Sequence, residues 1–297
     1  MKPTAATASE ASSSAPKHEL ATQDGPVEQA AAPLVDLTKL VLKRYKYELT
    51  PADREDLGLS EDEDHDPELE PECAWMRTVR YDIVGPKDEI FGHLNIWFIA
   101  TEEIRHSFYG EMDCPSHECM EFGFTLFDGD GFLKPRFRME GTGSWGPEVD
   151  DYDLVYLQKI KIDKEHRGQG IGSWALQAIW HSKEELLSKI KFLFTWPAPL
   201  TSELTHDRDI FGPESEEGEK EREEVQAKLN LFYLKAGFRR VGTTQFSCYA
   251  RDPSHRSKKI PADKDAEHVI PKTAHERAVA EVENSQAFQT MLRQWGL

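Results

Sequence analysis

The spacing of apolar residues near the middle of the chain predicts a strand, a glycine-rich turn and a helix in succession. In the strand, Val155 and Leu157 form one alternating pair and Ile160 and Ile162 another, and the two pairs are out of step by one residue. One extra residue near Gln158–Lys159 would keep all four side chains on one face, which is what a β-bulge does. We therefore expect a bulge there, and a bulge beside a glycine-rich turn can part the strand from its neighbour.

The helix that follows the turn is predicted from apolar residues at helical spacing. They give the helix one apolar face and are Ile171, Trp174, Ala175, Ala178 and Ile179. The turn itself, residues 167–173, contains three glycines. Glycine lets backbone N–H groups approach a ligand without an intervening Cβ, and a helix N-terminus offers free N–H donors and the positive end of its dipole. Together these features predict a cradle for a phosphate group.

Further strands and helices are predicted on both sides of this unit. Apolar runs and alternations predict strands at residues 76–84, 91–100, 132–139, 153–163, 191–196 and 238–250. Helical spacing and end signals predict helices at residues 36–50, 115–127, 219–236 and 274–295, the third of them ended by Gly237. Residues 115–127 also fit a strand, although Pro115 suits the first turn of a helix. We expect the strands at 132–139 and 153–163 to be neighbours in a sheet.

These elements divide the chain of 297 residues into four segments. Residues 1–33 are rich in Ala, Ser, Thr and Pro and are predicted to be disordered. Residues 34–74 combine the first helix with an acidic linker, which repels itself and stays extended. Residues 75–252 are predicted to form the folded domain, interrupted by an acidic insert at 201–218. Residues 253–297 hold a second linker and the C-terminal helix.

Two common phosphate-binding motifs fit the glycine-rich turn poorly. A P-loop needs a lysine near its end, and the turn has none at that position. A dinucleotide fingerprint can be aligned as Gly170-x-Gly172-x-x-Ala175, but the next strand should then end in an acidic residue, and it ends in Trp196-Pro197. A glycine-rich turn without any ligand stays open as an alternative for so short a motif.

The turn instead resembles the pyrophosphate loop of the GNAT superfamily of N-acetyltransferases. The family pattern Arg-x-x-Gly-x-Gly is met by Arg167, Gly170 and Gly172. The residues that lead into Arg167 are similar to the family's Val-x-Pro-x-Tyr-Arg, with Lys164 and His166 as departures.

A second motif lies further along the chain. Residues 231–238, Leu-Phe-Tyr-Leu-Lys-Ala-Gly-Phe, resemble the family's late signature Leu-Tyr-x-Lys-x-Gly-Phe. Gln226 is a departure, because many relatives carry asparagine at that place. Two motifs in the right order are more specific than either alone, and the resemblance extends from about Met76 to Arg251.

The resemblance implies an α+β fold with a mixed, mostly antiparallel central sheet flanked by helices, a β-bulge and splayed central strands. It also implies an acetyl-CoA-dependent N-acetyltransferase that moves an acetyl group directly to an amine, with acetyl-CoA as co-substrate and no metal. The implied acetyl-CoA-binding residues are Ile160, Ile162, Arg167, Gly168, Gln169, Gly170, Ile171, Gly172 and Ser173. Tyr233 matches the family's tyrosine acid, and a phenol with a pKa near ~10 is protonated at neutral pH and can donate to the leaving thiolate.

The sequence leaves open which residue takes the proton from the amine. The predicted strand offers Asp153, Tyr156 and Gln158, and Glu165 and His166 follow it. Without a clear base, an alternative function stays open, in which the domain is a catalytically weak GNAT-fold module that binds CoA or another protein. The identity of the acceptor amine is also open.

The charge of the chain narrows the classes of partner. The net charge is −18, which disfavours nucleic acid and anionic membranes, because both require a basic surface. The same charge suits a cationic acceptor amine, although solubility alone also explains it. The acidic linker and the C-terminal helix are candidate docking segments for a protein partner that the sequence does not identify.

Cysteine content and hydropathy predict a cytoplasmic or nuclear protein. Four cysteines are too few for a disulfide scaffold in a chain of this length. The first residues lack the apolar segment of a secretory signal, and no apolar run is long enough for a transmembrane helix. Cys114, His117 and Cys119 invite a zinc interpretation, but their spacing is not standard and a fourth ligand is not evident.

Overall fold

The structure, a computed structural model, describes residues 34–45, 73–200, 204 and 216–269. Four predictions fall outside these residues: the disordered segment at 1–33, the acidic linker, most of the acidic insert and the C-terminal helix.

Within the described residues, seven strands form one open sheet. They are β1 (Val41–Arg44), β2 (Met76–Val84), β3 (Ile90–Ile99), β4 (Leu154–Ile162), β5 (Phe192–Thr195), β6 (Arg239–Arg240) and β7 (Ser247–Ala250). Their order across the sheet is β1-β2-β3-β4-β5-β7-β6, and every neighbouring pair is antiparallel except β4 and β5. The predicted α+β class and the mostly antiparallel sheet flanked by helices are confirmed.

The helices in the described part of the chain cover both faces of the sheet. They are α1 (Phe108–Asp113), α2 (His117–Leu126), α3 (Ile171–His181), α4 (Glu185–Lys189) and α5 (Glu216–Lys235). The helices α1 and α2 lie on one face, where Phe122 and Tyr156 share an apolar core. The other three lie on the opposite face, where Ile179 and Leu157 share a second core. Of these helices, none is both long and apolar enough to cross a membrane.

The predicted β-bulge lies in β4 at Gln158. Asn95 of β3 pairs with Lys159, and the next residue, Ile96, pairs with Leu157, so Gln158 has no partner in β3. The extra residue restores the phase of the strand, because the four apolar residues of the sequence pattern all belong to the core on the side of α3. The irregular alternation in the sequence is therefore confirmed as a bulge.

The strands β4 and β5 separate soon after they meet. They pair through one residue pair, Tyr156 with Phe194. The strand β5 ends at Thr195, whose hydroxyl donates to the carbonyl oxygen of Leu157 at 3.0 Å. From there β4 continues to Ile162 without a described strand on that side. The predicted splay of the central strands is confirmed.

The prediction of a helix at residues 36–50 is wrong for residues 36–45, and its remainder lies outside the described residues. Leu37–Lys39 form a single 3₁₀ turn, and the side chain of Asp36 caps it by accepting the N–H of Thr38. The chain then continues as β1, which pairs with β2 along its whole length. The hydrogen bonds that β2 offers at the edge of the sheet override a helical pattern that is only a few residues long.

The predicted strand at residues 132–139 is also wrong, and so is its pairing with β4. Leu133 forms an isolated bridge with Phe127, and Pro135–Arg138 form a 3₁₀ turn. The strand β3 pairs with β4 from Leu154 to Ile162, and β5 takes the other side at Tyr156, so the first half of β4 has no free edge for another strand. Pro135 also lacks the N–H that a strand in the ladder would donate.

The predicted strand at residues 238–250 is a hairpin of β6 and β7 rather than one strand. The residues after β7, interpreted from the sequence as a polar linker, return to this edge of the sheet. Arg239 Nε and Nη2 donate to the carbonyl oxygen of Ile260 at 2.8 and 2.6 Å, and Arg240 Nε donates to that of Ala266 at 3.0 Å. Both arginines are buried, and they fasten the segment to β6.

Candidate functional site

The separation of β4 from β5 opens a cleft of about 510 Å³. The part of β4 beyond the bulge forms one wall, and α5 forms the opposite wall with Phe232 and Tyr233. The turn before α3 lies at the outer end, and residues 196–200 add mostly apolar surface. The volume falls in the range of small-molecule sites, about 300–1,000 Å³.

The turn before α3 keeps its backbone donors free. Gly168 and Gly170 have φ angles of +75° and +83°, which favour glycine. Gly170 is the N-cap of α3, and no side chain caps the helix. No acceptor in the described ranges takes the backbone N–H groups of residues 168–173. Among the described residues, a Cβ at Gly168 would meet no atom within 4 Å, which leaves space for a ligand beside this part of the turn.

The cleft concentrates positive charge in an acidic chain. Lys159, Lys161 and Arg167 line it, and no described acidic residue does, whereas the whole chain has a net charge of −18. Arg167 Nε donates to the carbonyl oxygen of Ile162 at 2.8 Å, which holds the arginine at the end of β4. Basic side chains beside an uncapped helix N-terminus favour an anion such as a phosphate.

The middle of the cleft is a slot with two different walls. On one side, backbone N–H and C=O groups of β4 beyond Tyr156 have no described strand partner toward β5. On the other side, Val225, Leu229 and Phe232 of α5 present apolar surface. Unpaired backbone groups need hydrogen-bond partners, so the slot suits an extended ligand that contains both amides and methylene groups.

Tyr233 closes the inner end of the cleft. Its side chain is buried between the rings of Phe232 and Phe238, at centroid distances of 5.0 and 5.2 Å. Burial raises the pKa of Tyr233 to about 12; a hydrogen bond with the Thr195 side chain opposes this rise, and the nearby carboxylate of Glu118 adds to it. The phenol is therefore protonated at neutral pH and can donate a hydrogen bond.

A second tyrosine approaches the same point from the opposite face of the sheet. The hydroxyl of Tyr156 donates to Glu118 Oε1 at 2.6 Å, and its ring stacks on Trp97 at 5.0 Å. Burial raises the pKa of Tyr156 well above its ordinary value, Glu118 and Tyr233 add to the rise, and the backbone of Trp196 opposes it through a hydrogen bond. Glu118 and the two tyrosines are thus close enough to influence one another electrostatically, and Tyr156 is the residue of β4 that pairs with β5.

Glu118 is a partly buried carboxyl on α2. Burial raises its pKa above the ordinary glutamate value, and the hydrogen bond from Tyr156 partly offsets that rise. Glu118 was not predictable from sequence spacing, because its contact with Tyr156 joins α2 to β4 across 38 positions. The available signal was its place on the helix: Glu118 and Phe122 are four residues apart, so the carboxyl shares a face with a core aromatic residue.

The structure brings most of the predicted site residues into one cleft. Those that line it are Ile160, Ile162, Arg167, Gly168, Gly170, Ile171, Gly172, Ser173 and Tyr233. Gln169 does not line it, because its side-chain oxygen accepts the backbone N–H of Val35 at 2.8 Å. That bond holds the segment before β1 against the turn.

The residues left open as proton acceptors are spread over the molecule. Gln158 and His166 line the cleft, whereas Tyr156 is fully buried, with its hydroxyl bonded to Glu118. Asp153 lies at the start of β4, where burial and two neighbouring glutamates raise its pKa. Glu165 is exposed in the turn after β4. Among these candidates, only Tyr156 is bonded to a carboxylate close to Tyr233.

Gln226, the departure from the family pattern on α5, does not line the cleft. Its amide donates to the carbonyl oxygen of Pro197 and, at 3.1 Å, to Asn230 Oδ1. The side chain therefore joins α5 to the segment that follows β5.

The two cysteines of the zinc interpretation have other contacts. The thiol of Cys119 is buried and lies 3.9 Å from the sulfur of Met112, and that of Cys114 lies 3.5 Å from the carbonyl oxygen of Gly110. In the portion of the chain that the structure describes, no three His, Cys, Asp or Glu side chains are grouped as metal ligands.

No family model, no curated protein and no solved structure matches this chain. The function is therefore inferred from the two motifs and from the geometry and charge of the cleft.

Proposed function

We propose that this protein is an acetyl-CoA-dependent N-acetyltransferase that transfers an acetyl group directly to an amine. The observation that carries the proposal is the cleft between β4 and β5, whose charged lining residues are all basic in the described chain although the net charge is −18. The uncapped N-terminus of α3 lies at the same end. Both features support the binding of a diphosphate.

The shape and polarity of the cleft fit the parts of acetyl-CoA in order. The N–H groups of residues 168–173, with Arg167, would bind the diphosphate. The edge of β4 around Ile160 and Ile162 would pair with the amides of the pantetheine arm, while α5 covers its methylene groups. Acetyl-CoA supplies the acetyl thioester, which this order places at the inner end beside Tyr233.

Tyr233 then stabilises the thiolate as it leaves. A cysteine-like thiol has a pKa near ~8.5, well below the value of about 12 for Tyr233. Complete proton transfer from the phenol to the thiolate is therefore uphill, and the role that fits is the donation of a hydrogen bond to the developing negative charge. The Thr195 side chain and the rings of Phe232 and Phe238 hold the phenol in place for this role.

A second function is favoured by the departures from the family pattern. Lys164, His166 and Gln226 differ from the usual residues, and they support the alternative of a GNAT-fold module that binds CoA or another protein with little catalysis. The two functions share the cleft and differ in turnover alone. For either one, the four free cysteines fit a reducing compartment such as the cytoplasm or nucleus.

Two measurements test the proposal. Acetyl-CoA should raise the melting temperature, because a ligand at 100 times its Kd stabilises the folded state by about 2.7 kcal/mol. Acetyl-pantetheine, which lacks the diphosphate, should stabilise much less. Release of free thiol should then follow the addition of an amine from a panel of polyamines, lysine peptides, peptide N-termini and small amines.

Each outcome separates the functions. Stabilisation with amine-dependent thiol release supports the acetyltransferase. Stabilisation without thiol release on any amine favours the binding module. If acetyl-CoA stabilises the protein no more than acetyl-pantetheine does, or not at all, diphosphate binding at the turn is contradicted.

A further inference from the structure

Glu118 is a carboxyl without a cationic partner among the described residues. It lies in the first turn of α2, and it forms no ion pair with any lysine, arginine or histidine of the described ranges. Its hydrogen-bond partner is the hydroxyl of Tyr156 at 2.6 Å. A partly buried carboxylate is costly unless it is paired, so a cation from outside the chain would complete this site.

The position of the pair matches the place where an acceptor would react. Tyr156 is the residue of β4 that pairs with β5, and the strands part directly beyond it. The tyrosine approaches this point from the face of α2, whereas Tyr233 approaches from the face of α5. Tyr156 is fully buried and Glu118 is partly exposed, so an acceptor on the side of α2 would meet Glu118 first, and Tyr156 would lie behind it.

We propose that Tyr156 and Glu118 accept the proton of the acceptor, and that the acceptor is a primary amine that arrives as its ammonium ion. The inference rests on the acetyltransferase function proposed above. It assigns the base that the sequence left open and makes charge complementarity with Glu118 a determinant of substrate choice.

The proton transfers balance as follows. The ammonium gives a proton to the oxygen of Tyr156 as the tyrosine gives its own proton to Glu118 Oε1, so one ammonium and one carboxylate become one amine and one carboxylic acid. The amine forms a C–N bond with the thioester carbonyl carbon, and the C–S bond breaks with its electron pair on sulfur. The second nitrogen proton ends on the sulfur as free thiol, and Glu118 returns its proton to solvent.

The pH behaviour of the site follows from the groups around Glu118. Its titratable neighbours are Tyr156 on β4, Tyr233 on α5 and Cys119 on its own helix, and burial raises the pKa of all three, so they stay neutral near pH 7. The pKa of Glu118 is also raised by burial. The pair therefore accepts a proton only above that raised value, and kcat/KM should rise with pH as Glu118 ionises.

The test uses two variants and a matched control. Glu118→Gln keeps the shape of the side chain and cannot take a proton, and Tyr156→Phe keeps the ring on Trp97 and removes the hydroxyl. In both, we expect kcat/KM for a primary amine to fall by about 10²–10⁴-fold and the acidic limb of its pH profile to disappear. Calorimetry should show unchanged affinity for acetyl-CoA. Glu121→Gln, one turn further along α2, should behave as wild type.

A second test of the same variants measures the pH dependence of folding stability and does not require catalysis. The raised pKa of Glu118 means that the folded state binds its proton more tightly than the unfolded state. Wild-type stability should therefore fall as pH rises from the ordinary glutamate value of 4.5 toward the native value, and Glu118→Gln should lack that fall.

Two results would overturn the inference in distinguishable ways. If the wild type releases thiol and folded Glu118→Gln keeps both its rate and its acidic limb, the pair is not the proton acceptor and the acetyltransferase stands. If the wild type binds acetyl-CoA but no amine releases thiol, the proposed function fails and the inference fails with it.

Discussion

Replacing Gly170 by valine tests whether the turn before α3 holds a diphosphate. Gly170 has a φ of +83°, and within the described ranges a Cβ there would touch only Leu37 Cδ1, at an ordinary contact distance of 3.5 Å. The folding penalty therefore comes from the left-handed backbone and is about 1–2 kcal/mol. For a domain of this size that corresponds to a fall in melting temperature of roughly 2–8 °C.

The effect on binding should be larger than the effect on folding. If the valine displaces two hydrogen bonds from backbone N–H groups to the diphosphate, each worth about 1.5–3 kcal/mol, the loss is about 3–6 kcal/mol, or roughly 10²–10⁴-fold in Kd. Isothermal calorimetry with acetyl-CoA measures this directly.

Gly131→Val provides the control for backbone strain. Gly131 has a similar φ of +85°, but it lies in the loop after α2 and does not line the cleft. A Cβ there would lie 3.0 Å from the ring of Phe108, so this variant should lose at least as much stability and keep its affinity. An unchanged Kd in folded Gly170→Val would refute diphosphate binding at this turn.

Two further predictions follow from Tyr233 and from the charge of the chain. Tyr233→Phe should keep the ring contacts and lose about 0.5–1.5 kcal/mol of folding stability with its hydrogen bond. Its kcat should fall by roughly 10²-fold. If the variant keeps the full single-turnover rate, Tyr233 acts only as a packing residue of the core. The KM for a cationic acceptor should rise with salt, because ions screen its attraction to the acidic chain and to Glu118, and a salt-independent KM would contradict that attraction.

The parts of the fold that were predictable from the sequence are those whose cause is local. The bulge at Gln158 shows in the sequence because one extra residue shifts the alternation of its own strand. The glycine-rich turn and the stop at Gly237, whose φ is +93°, show because only glycine adopts those angles easily. The motifs that predicted the cleft consist of such residues.

The wrong predictions concern elements whose structure depends on contacts with residues far away in the sequence. Residues 41–44 form a strand because β2 offers them an edge, and residues 132–139 form none beside the first half of β4 because β3 and β5 already pair there. Glu118 belongs to the site through a contact with Tyr156 on another element, and Gln169 is turned away by a contact with Val35. No spacing rule within one segment contains this information.

The hydrogen bonds that hold the segment after β7 against β6 determine where the chain can be truncated. The motifs end at about Arg251, which makes that residue the natural place to truncate the protein for expression. Such a cut would remove the carbonyl oxygens of Ile260 and Ala266 that receive Arg239 and Arg240. Each lost hydrogen bond to a buried guanidinium costs about 1.5–3 kcal/mol, and β6 would become an open edge able to pair with another molecule. The smallest unit that behaves well in solution therefore reaches at least Ala266, beyond the last residue that any motif marks.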